Sequence, residues 1–198
     1  PVIDWIRAIH PLLQRSLQKQ EKKVVPLDII LRAPLPTLPR GGADSSSEDY
    51  QARANASGDS KGTGRLLIIS GPNAGGKSVC LKTVGLLQYM VQCGLSIPIG
   101  DRSTVGIFQN IMIDIGDEQS IADDLSTYSS HLLNMKNMMR QANEHTLLLI
   151  DEFGGGTEPT IGGAIAEAVL KQFWEKKAFG VITTHYQNLK HFAEDHEG

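Results

Sequence analysis

The chain of 198 residues has only two cysteines, Cys80 and Cys93, and they are not spaced as C-x-x-C. That spacing argues against a disulfide framework or a thiolate metal site, and predicts two buried, reduced thiols in a cytoplasmic protein. Long apolar runs are missing too. A stretch such as Leu147 to Ile150 falls far short of the ~20 residues that cross a bilayer, so no membrane partner is expected. Neither sign of charge dominates: 19 Lys and Arg stand against 22 Asp and Glu, for a net charge of −3. Without a long basic run, charge supplies no evidence for nucleic-acid binding by this piece. The start, Pro1-Val2-Ile3-Asp4, has neither an initiator methionine nor a signal-peptide pattern, and reads as part of a longer protein.

One further absence is local. From Pro39 to Arg65 there is no Val, Ile, Leu, Met or Phe, and Tyr50 is the only aromatic residue. Such a segment, rich in Gly, Ser, Ala and Asp, cannot bury enough apolar surface to offset its ordering entropy, so a disordered loop is expected. It separates an N-terminal stretch, residues 1–38, from a main stretch, residues 66–198. The first contains a helix pattern at Leu12 to Gln20 and a strand pattern at Val24 to Leu31. In the second, apolar β-rich runs at 66–69, 105–113, 146–150 and 179–183 alternate with helical patterns. One of these, Ser129 to Ala142, aligns Leu132, Met135, Met139 and Ala142 as a core face. Another, Thr160 to Lys171, carries a stripe of Ile161, Ile165 and Ala168 that continues to Phe173. Strands alternating with helices predict an α/β fold with a mostly parallel sheet flanked by helices. The length suits one such domain with a short appendage.

The chemistry lies at the ends of the strand patterns. Gly71-Pro72-Asn73-Ala74-Gly75-Gly76-Lys77-Ser78 follows the run 66–69 and is a complete G-x-x-x-x-G-K-[ST] loop, the signature of a P-loop NTPase. Its glycines let successive N–H groups turn toward phosphate oxygens, Lys77 supplies a point charge, and the Ser78 hydroxyl can ligate Mg²⁺. Val79 opens a helical segment reaching Val91, whose positive N-terminal end would face the phosphates. The run 147–150 ends in Asp151 and Glu152, placed respectively to hold the metal and to orient or deprotonate a water. A third strand pattern ends at Thr183-Thr184-His185, and His185 could donate to the γ-phosphate or the lytic water. The hydroxyl cluster Ser126-Thr127-Tyr128-Ser129 admits two readings, N-capping of the helix that follows or docking of a phosphate. Gly154-Gly155-Gly156 allows close backbone approach beside the acids.

These segments resemble the ATPase domain of the MutS family, a branch of the ABC ATPases. The resemblance covers most of Leu66 to Ala193, through GPNAGGKS at 71–78, DIGDEQSIADDLSTYSSH at 114–131, LLLIDEFGGGTEP at 147–159 and TTHYQNLK at 183–190. DIGDEQS and GGGTEP are most similar to the recombination-suppressing branch, the second MutS type. His10 to Leu13 and Val24 to Asp28 look like the family segment that precedes the phosphate loop, which makes Val24 and Val25 candidates for an adenine pocket. By the same resemblance Lys77, Glu152 and His185 would be catalytic. Residues 71–79 would bind ATP, and Ser78 and Asp151 would hold Mg²⁺. Ser126, Thr127 and Ser129 would contact the γ-phosphate held by a second copy, and Gly154 to Glu158 would cross the dimer interface. A homodimer is implied, in a parent protein that binds mismatched or branched DNA elsewhere. The family's DNA clamp, lever and small nuclease domain do not occur within this sequence, and the 39–65 insert is longer than the family pattern. Two other readings share the loop. A cohesion-type or break-repair ABC ATPase would carry an L-S-G-G signature where this chain has Leu125-Ser126-Thr127-Tyr128. A dimerisation switch would bind nucleotide with little turnover.

Overall fold

The computed structural model describes residues 1–33, 64–71, 76–116, 124–155 and 157–196, with side chains of 124–128 left out. In chain order the elements are β1 (Val2–Ala8), α1 (Pro11–Gln18), β2 (Leu27–Arg32), β3 (Leu66–Ser70), α2 (Lys77–Gln92), β4 (Thr104–Val105), β5 (Asn110–Asp114), α3 (Asp124–Gln141), β6 (Thr146–Ile150), α4 (Pro159–Glu175), β7 (Phe179–Thr184) and α5 (Gln187–Asp195). Four strands form a parallel sheet in the order β3-β7-β6-β5, and three form an antiparallel sheet in the order β2-β1-β4. The expected α/β arrangement, a parallel sheet flanked by helices, is therefore present. Of the segment 39–65 only Gly64 and Arg65 lie within the described residues. Their carbonyls accept from Arg32 N–H at 3.1 Å and Gly180 N–H at 2.9 Å.

Every residue of β6 is buried, so its run of apolar side chains is divided between the two faces of the sheet. Leu147 and Leu149 pack with Leu81, Val84 and Leu87 of α2 and with Ile3, Trp5, Ile29 and Leu31 of the antiparallel sheet. Leu148 and Ile150 pack with Met135 and Met138 of α3, with Ala166, Leu170 and Phe173 of α4, and with Leu189 of α5. Each fully buried Leu or Phe contributes about 1.5–3 kcal/mol relative to an exposed one, so the two clusters together fix the sheet.

The structure corrects several expectations. The run 105–113 is two strands in different sheets, because the chain crosses over at Gly106. A Cβ there would sit 2.5 Å from Val2 N and 2.6 Å from Val2 O, so only glycine fits against β1. Gln88 Nε2 donates to Gly106 O at 2.8 Å, and Gln92 Oε1 accepts from Phe108 N–H at 3.1 Å. These bonds hold the crossover to α2. Strand β2 begins at Leu27 because Pro26 has no N–H to give a ladder. The alternating pattern of β1 went unread, although Ile3 and Trp5 are both buried. Cys93 is exposed, at the C-terminal end of α2, and only Cys80 is partly covered. Burial pushes the Cys80 thiol above its ordinary pKa.

Helix α4 shows most of its expected stripe to solvent, and of that stripe only Phe173 is buried. Ile161 is 56% exposed, and Ile165 and Ala168 are exposed too. The buried face is Gly162, Gly163, Ala166, Val169, Leu170 and Phe173. The glycines determine this: a Cβ on Gly162 would lie 2.7 Å from Gly154 O and 2.5 Å from Tyr186 Oη, so backbone approach sets the rotation of the helix. In α3 the expected face is largely kept: Met135 and Ala142 are buried and Met139 packs against the core, joined by Met138, while Leu132 stays exposed. Among the described residues no helix is long and apolar enough to cross a membrane. Phe173→Ala should destabilise the fold by about 3–5 kcal/mol in urea unfolding, whereas Ile165→Ser should change it by no more than about 0.5 kcal/mol.

Candidate active site

Parallel register brings the chemistry-bearing strand ends to one edge. Ser70 pairs with Thr184, Ile150 with Ile182, and Asp114 with Ile150. The chain therefore leaves β3 at Gly71, β6 at Asp151 and β7 at His185 along the same carboxyl edge, where open α/β folds bind ligands.

Gly71 has φ +144° and Gly76 has φ +77°, conformations that favour glycine. Gly76 occupies the N-cap of α2 and offers no side chain to the first N–H groups. Lys77 is 5% exposed, and its Nζ donates to Gly71 O across the loop. Ser78 is half-buried and Val79 exposed. Pro72, Asn73, Ala74 and Gly75 lie outside the described residues. Oriented amides at a helix start, closed over by a buried ammonium, can hold an anion such as phosphate.

The acids sit on a turn tied to the neighbouring strand. Asp151 is buried, and its Oδ1 accepts from the Thr183 hydroxyl. The same Thr183 oxygen accepts from Glu152 N–H at 2.9 Å, and Thr183 O accepts from Phe153 N–H at 2.8 Å. Thr184 Oγ1 donates to Phe153 O at 3.2 Å, and the Tyr186 hydroxyl donates to Gly154 O at 2.9 Å. The turn is thus held at four successive residues. Glu152 takes φ +51°, a left-handed conformation uncommon outside glycine that costs about 1–3 kcal/mol and recurs where geometry serves function. Burial of Phe153 in the core anchors the residue after it. His185 is exposed at the same edge.

Asp151 and Ser78 together offer one carboxylate and one hydroxyl. Among the described residues no group of three or more His, Cys, Asp or Glu could form a metal cage. One carboxylate with one hydroxyl suits Mg²⁺, which keeps several waters and takes the rest of its ligands from substrate phosphates.

Other expected residues lie on other elements. Val24 and Val25 precede β2, on the side of the antiparallel sheet, and Val25 is 87% exposed. Helix α3 spans Asp124–Gln141, so Ser126, Thr127 and Ser129 fall inside its first two described turns. Ser129 is exposed, while the side chains of Ser126 and Thr127 are not described. Gly156 is outside the described residues. Glu158 has a local role: it caps α4, its carboxylate accepting from Thr160 N–H at 3.0 Å and Ile161 N–H at 2.9 Å. Those bonds hold its carboxyl below the usual glutamate range. Sequence reasoning assigned no role to Thr183, Thr184, Tyr186 or Asp114. Two adjacent threonines closing an apolar strand pattern were the available signal, since hydroxyls buried there must find partners.

The fold and the site define an α/β protein in which a glycine turn and an acidic turn leave the same carboxyl edge of a parallel sheet. Residues 67–198 match the family described as MutS domain V, and the chain belongs to the MutS family. That membership sets aside the cohesion-type reading. It is 48% identical over 134 residues to "Endonuclease MutS2" of Shouchella clausii, covering 68% of this chain and 17% of that protein. Identity to "Endonuclease MutS2" of Clostridium kluyveri is 40% over 192 residues, 97% of this chain and 20% of that protein. A third relative of that name, from Lachnospira eligens, is 51% identical over 134 residues, 68% of this chain and 17% of its own length. The chain is therefore MutS2-like, and spans at most about a fifth of the length of these curated relatives.

Thr183→Val strips Asp151 of its donor and Glu152 N–H of its acceptor, and should destabilise the fold by about 1–3 kcal/mol per group left unsatisfied, measured by urea unfolding. Because the Glu158 carboxyl is held low in the folded state, its capping contribution is fully present above the ordinary value of 4.5 and is lost as pH falls through the lower folded value. Glu158→Ala should lower the melting temperature at neutral pH, and the gap from the parent should close on acidification below that window.

Proposed function

We propose that the chain is the Mg²⁺-dependent ATPase motor of a MutS-type protein acting in mismatch repair or in control of recombination, with a P-loop NTPase fold. The observation that carries this reading is the convergence of the Gly71–Lys77 turn and the Asp151–Glu152 turn on one sheet edge. Gly71 and Gly76 take positive φ at the two ends of the first turn, and Thr183 holds the backbone of the second. Family membership supports the same assignment.

In this reading the amides of residues 71–79 and the Lys77 ammonium bind the phosphates of ATP, with Lys77 exchanging Gly71 O for phosphate oxygens. Ser78 and Asp151 hold Mg²⁺, which when bound neutralises charge on the phosphate oxygens. Glu152 accepts a proton from the attacking water, and the bond from its N–H to Thr183 holds the backbone from which that carboxylate extends. His185, uncovered at the end of β7, donates a hydrogen bond to the γ-phosphate. Val24 and Val25 supply apolar surface for the adenine, and the exposure of Val25 leaves it free to do so. Ser126, Thr127 and Ser129, in the first turns of α3, serve the phosphate of a second copy, and residues 154–158 lie between the copies. ATP would then be held between two subunits, coupling its hydrolysis to DNA-binding parts of a cytoplasmic parent protein.

In the full-length, dimer-competent protein, Glu152→Gln should leave ATP affinity unchanged and lower steady-state turnover at least ~100-fold. Lys77→Ala should lose nucleotide binding itself. Unchanged hydrolysis by Glu152→Gln would remove Glu152 from the mechanism. Tight ATP binding by the parent with no turnover at any concentration would favour the dimerisation switch.

A further inference from the structure

Asp114 ends β5 beside the acidic turn, and it is only 4% exposed. Both of its carboxylate oxygens are held by one helix. His131 Nδ1 donates to Oδ2 at 2.7 Å, and Asn134 Nδ2 donates to Oδ1 at 2.8 Å. The two donors are three residues apart, on one face of α3. The backbone of Asp114 faces the other way: its carbonyl accepts from Asp151 N–H at 2.9 Å. The His131 ring lies so close over the chain leaving β5 that a Cβ on Gly116 would be 3.1 Å from both Cε1 and Nε2. A single buried residue thus joins helix α3 to the backbone of Asp151.

A buried carboxylate is an expensive way to fasten a helix, since desolvation takes back much of what its hydrogen bonds gain. Apolar packing already joins α3 to the sheet through Met135 and Met138. What the clamp adds is direction. Two charge-assisted bonds to one planar group fix both the rotation of α3 and its height along the strand. His131 and Asn134 follow Ser126 to Ser129 on the same helix, so a movement of the start of α3 that the helix makes as one body would reach them. Asp114 passes it to the peptide that sets Asp151.

We infer that His131, Asn134 and Asp114 form a positioning relay, by which engagement of the α3 start with the second copy sets the metal-holding acid of its own subunit. The inference rests on the ATPase reading above. Asp114 touches neither nucleotide nor water in this account, and none of the three is a catalytic residue. Small displacements at a reacting centre cost large factors in rate without changing how tightly the substrate sits. Loss of the relay should therefore appear in kcat and not in KM.

His131 is 30% exposed at its side chain, which makes it the safer position to alter. In the full-length protein His131→Leu should lower the kcat for ATP at least about tenfold while KM and ATP affinity stay within about twofold of the parent. His131→Asn, which keeps a donor where Nδ1 stood, should recover most of the lost rate. Undiminished kcat in a folded His131→Leu protein would overturn the relay. So would a loss of rate, ATP affinity and melting temperature together in both variants, which marks a merely structural contact. If instead the parent itself binds ATP and never turns it over, the ATPase reading fails first and the relay falls with it.

Discussion

Five consecutive residues without solvent contact, Thr146 to Ile150, lie in the middle of the parallel sheet, with a hydrophobic cluster on each side. Such a strand has no face left for a charge. The first residues able to carry one are those that leave the sheet, and at the carboxyl edge these are Asp151 and Glu152. Parallel pairing then requires the neighbours to end at the same edge, so Gly71 on β3 and His185 on β7 arrive beside them. The geometry of the site follows from burying this strand on both faces.

An acidic turn at that position must still be held in one conformation. The left-handed backbone of Glu152 would relax if nothing opposed it, and the opposition is visible on both sides. Thr183 takes the Glu152 N–H and donates to Asp151, and Phe153 is anchored in the core. Glycines at 154 and 162 then let the following loop and α4 approach within backbone contact, closed by the Tyr186 hydroxyl on Gly154 O. Thr183, Thr184 and Tyr186, on β7 and just after it, thus hold the acidic turn together with the buried Phe153.

Elements with strong local signals were legible in the sequence. The runs 66–69, 146–150 and 179–183 are strands because apolar residues of that length bounded by polar ones have few alternatives, and the glycine turn and acidic pair were readable from residue type and spacing. The failures have a common cause, contacts between distant segments. Ile161 and Ile165 have ideal helical spacing, yet Gly162 and Gly163 turn the helix so that small residues face the loop at Gly154. The run 105–113 looks like one strand, yet the close approach of Gly106 to Val2 sends its two ends to different sheets. Ser126 and Thr127 look like the residues before a helix, but they lie within α3, Asp124–Gln141. Asp114 read as one acid among several, and only the fold shows that His131 and Asn134 close on it.

On the proposed reading the site is incomplete in one copy: the glycine turn and the acids leave one sheet edge, whereas Ser126 to Ser129 belong to the first turns of α3 and would serve the phosphate of a second copy. The most direct measurement mixes two inactive forms of the full-length protein. Lys77→Ala abolishes the nucleotide grip in cis, and Ser126→Asp repels the phosphate presented in trans. The account predicts that the mixture hydrolyses ATP although neither form does so alone, because the mixed dimer contains one site with an intact lysine and an intact facing serine. No turnover in a mixture shown to contain mixed dimers would contradict the shared site.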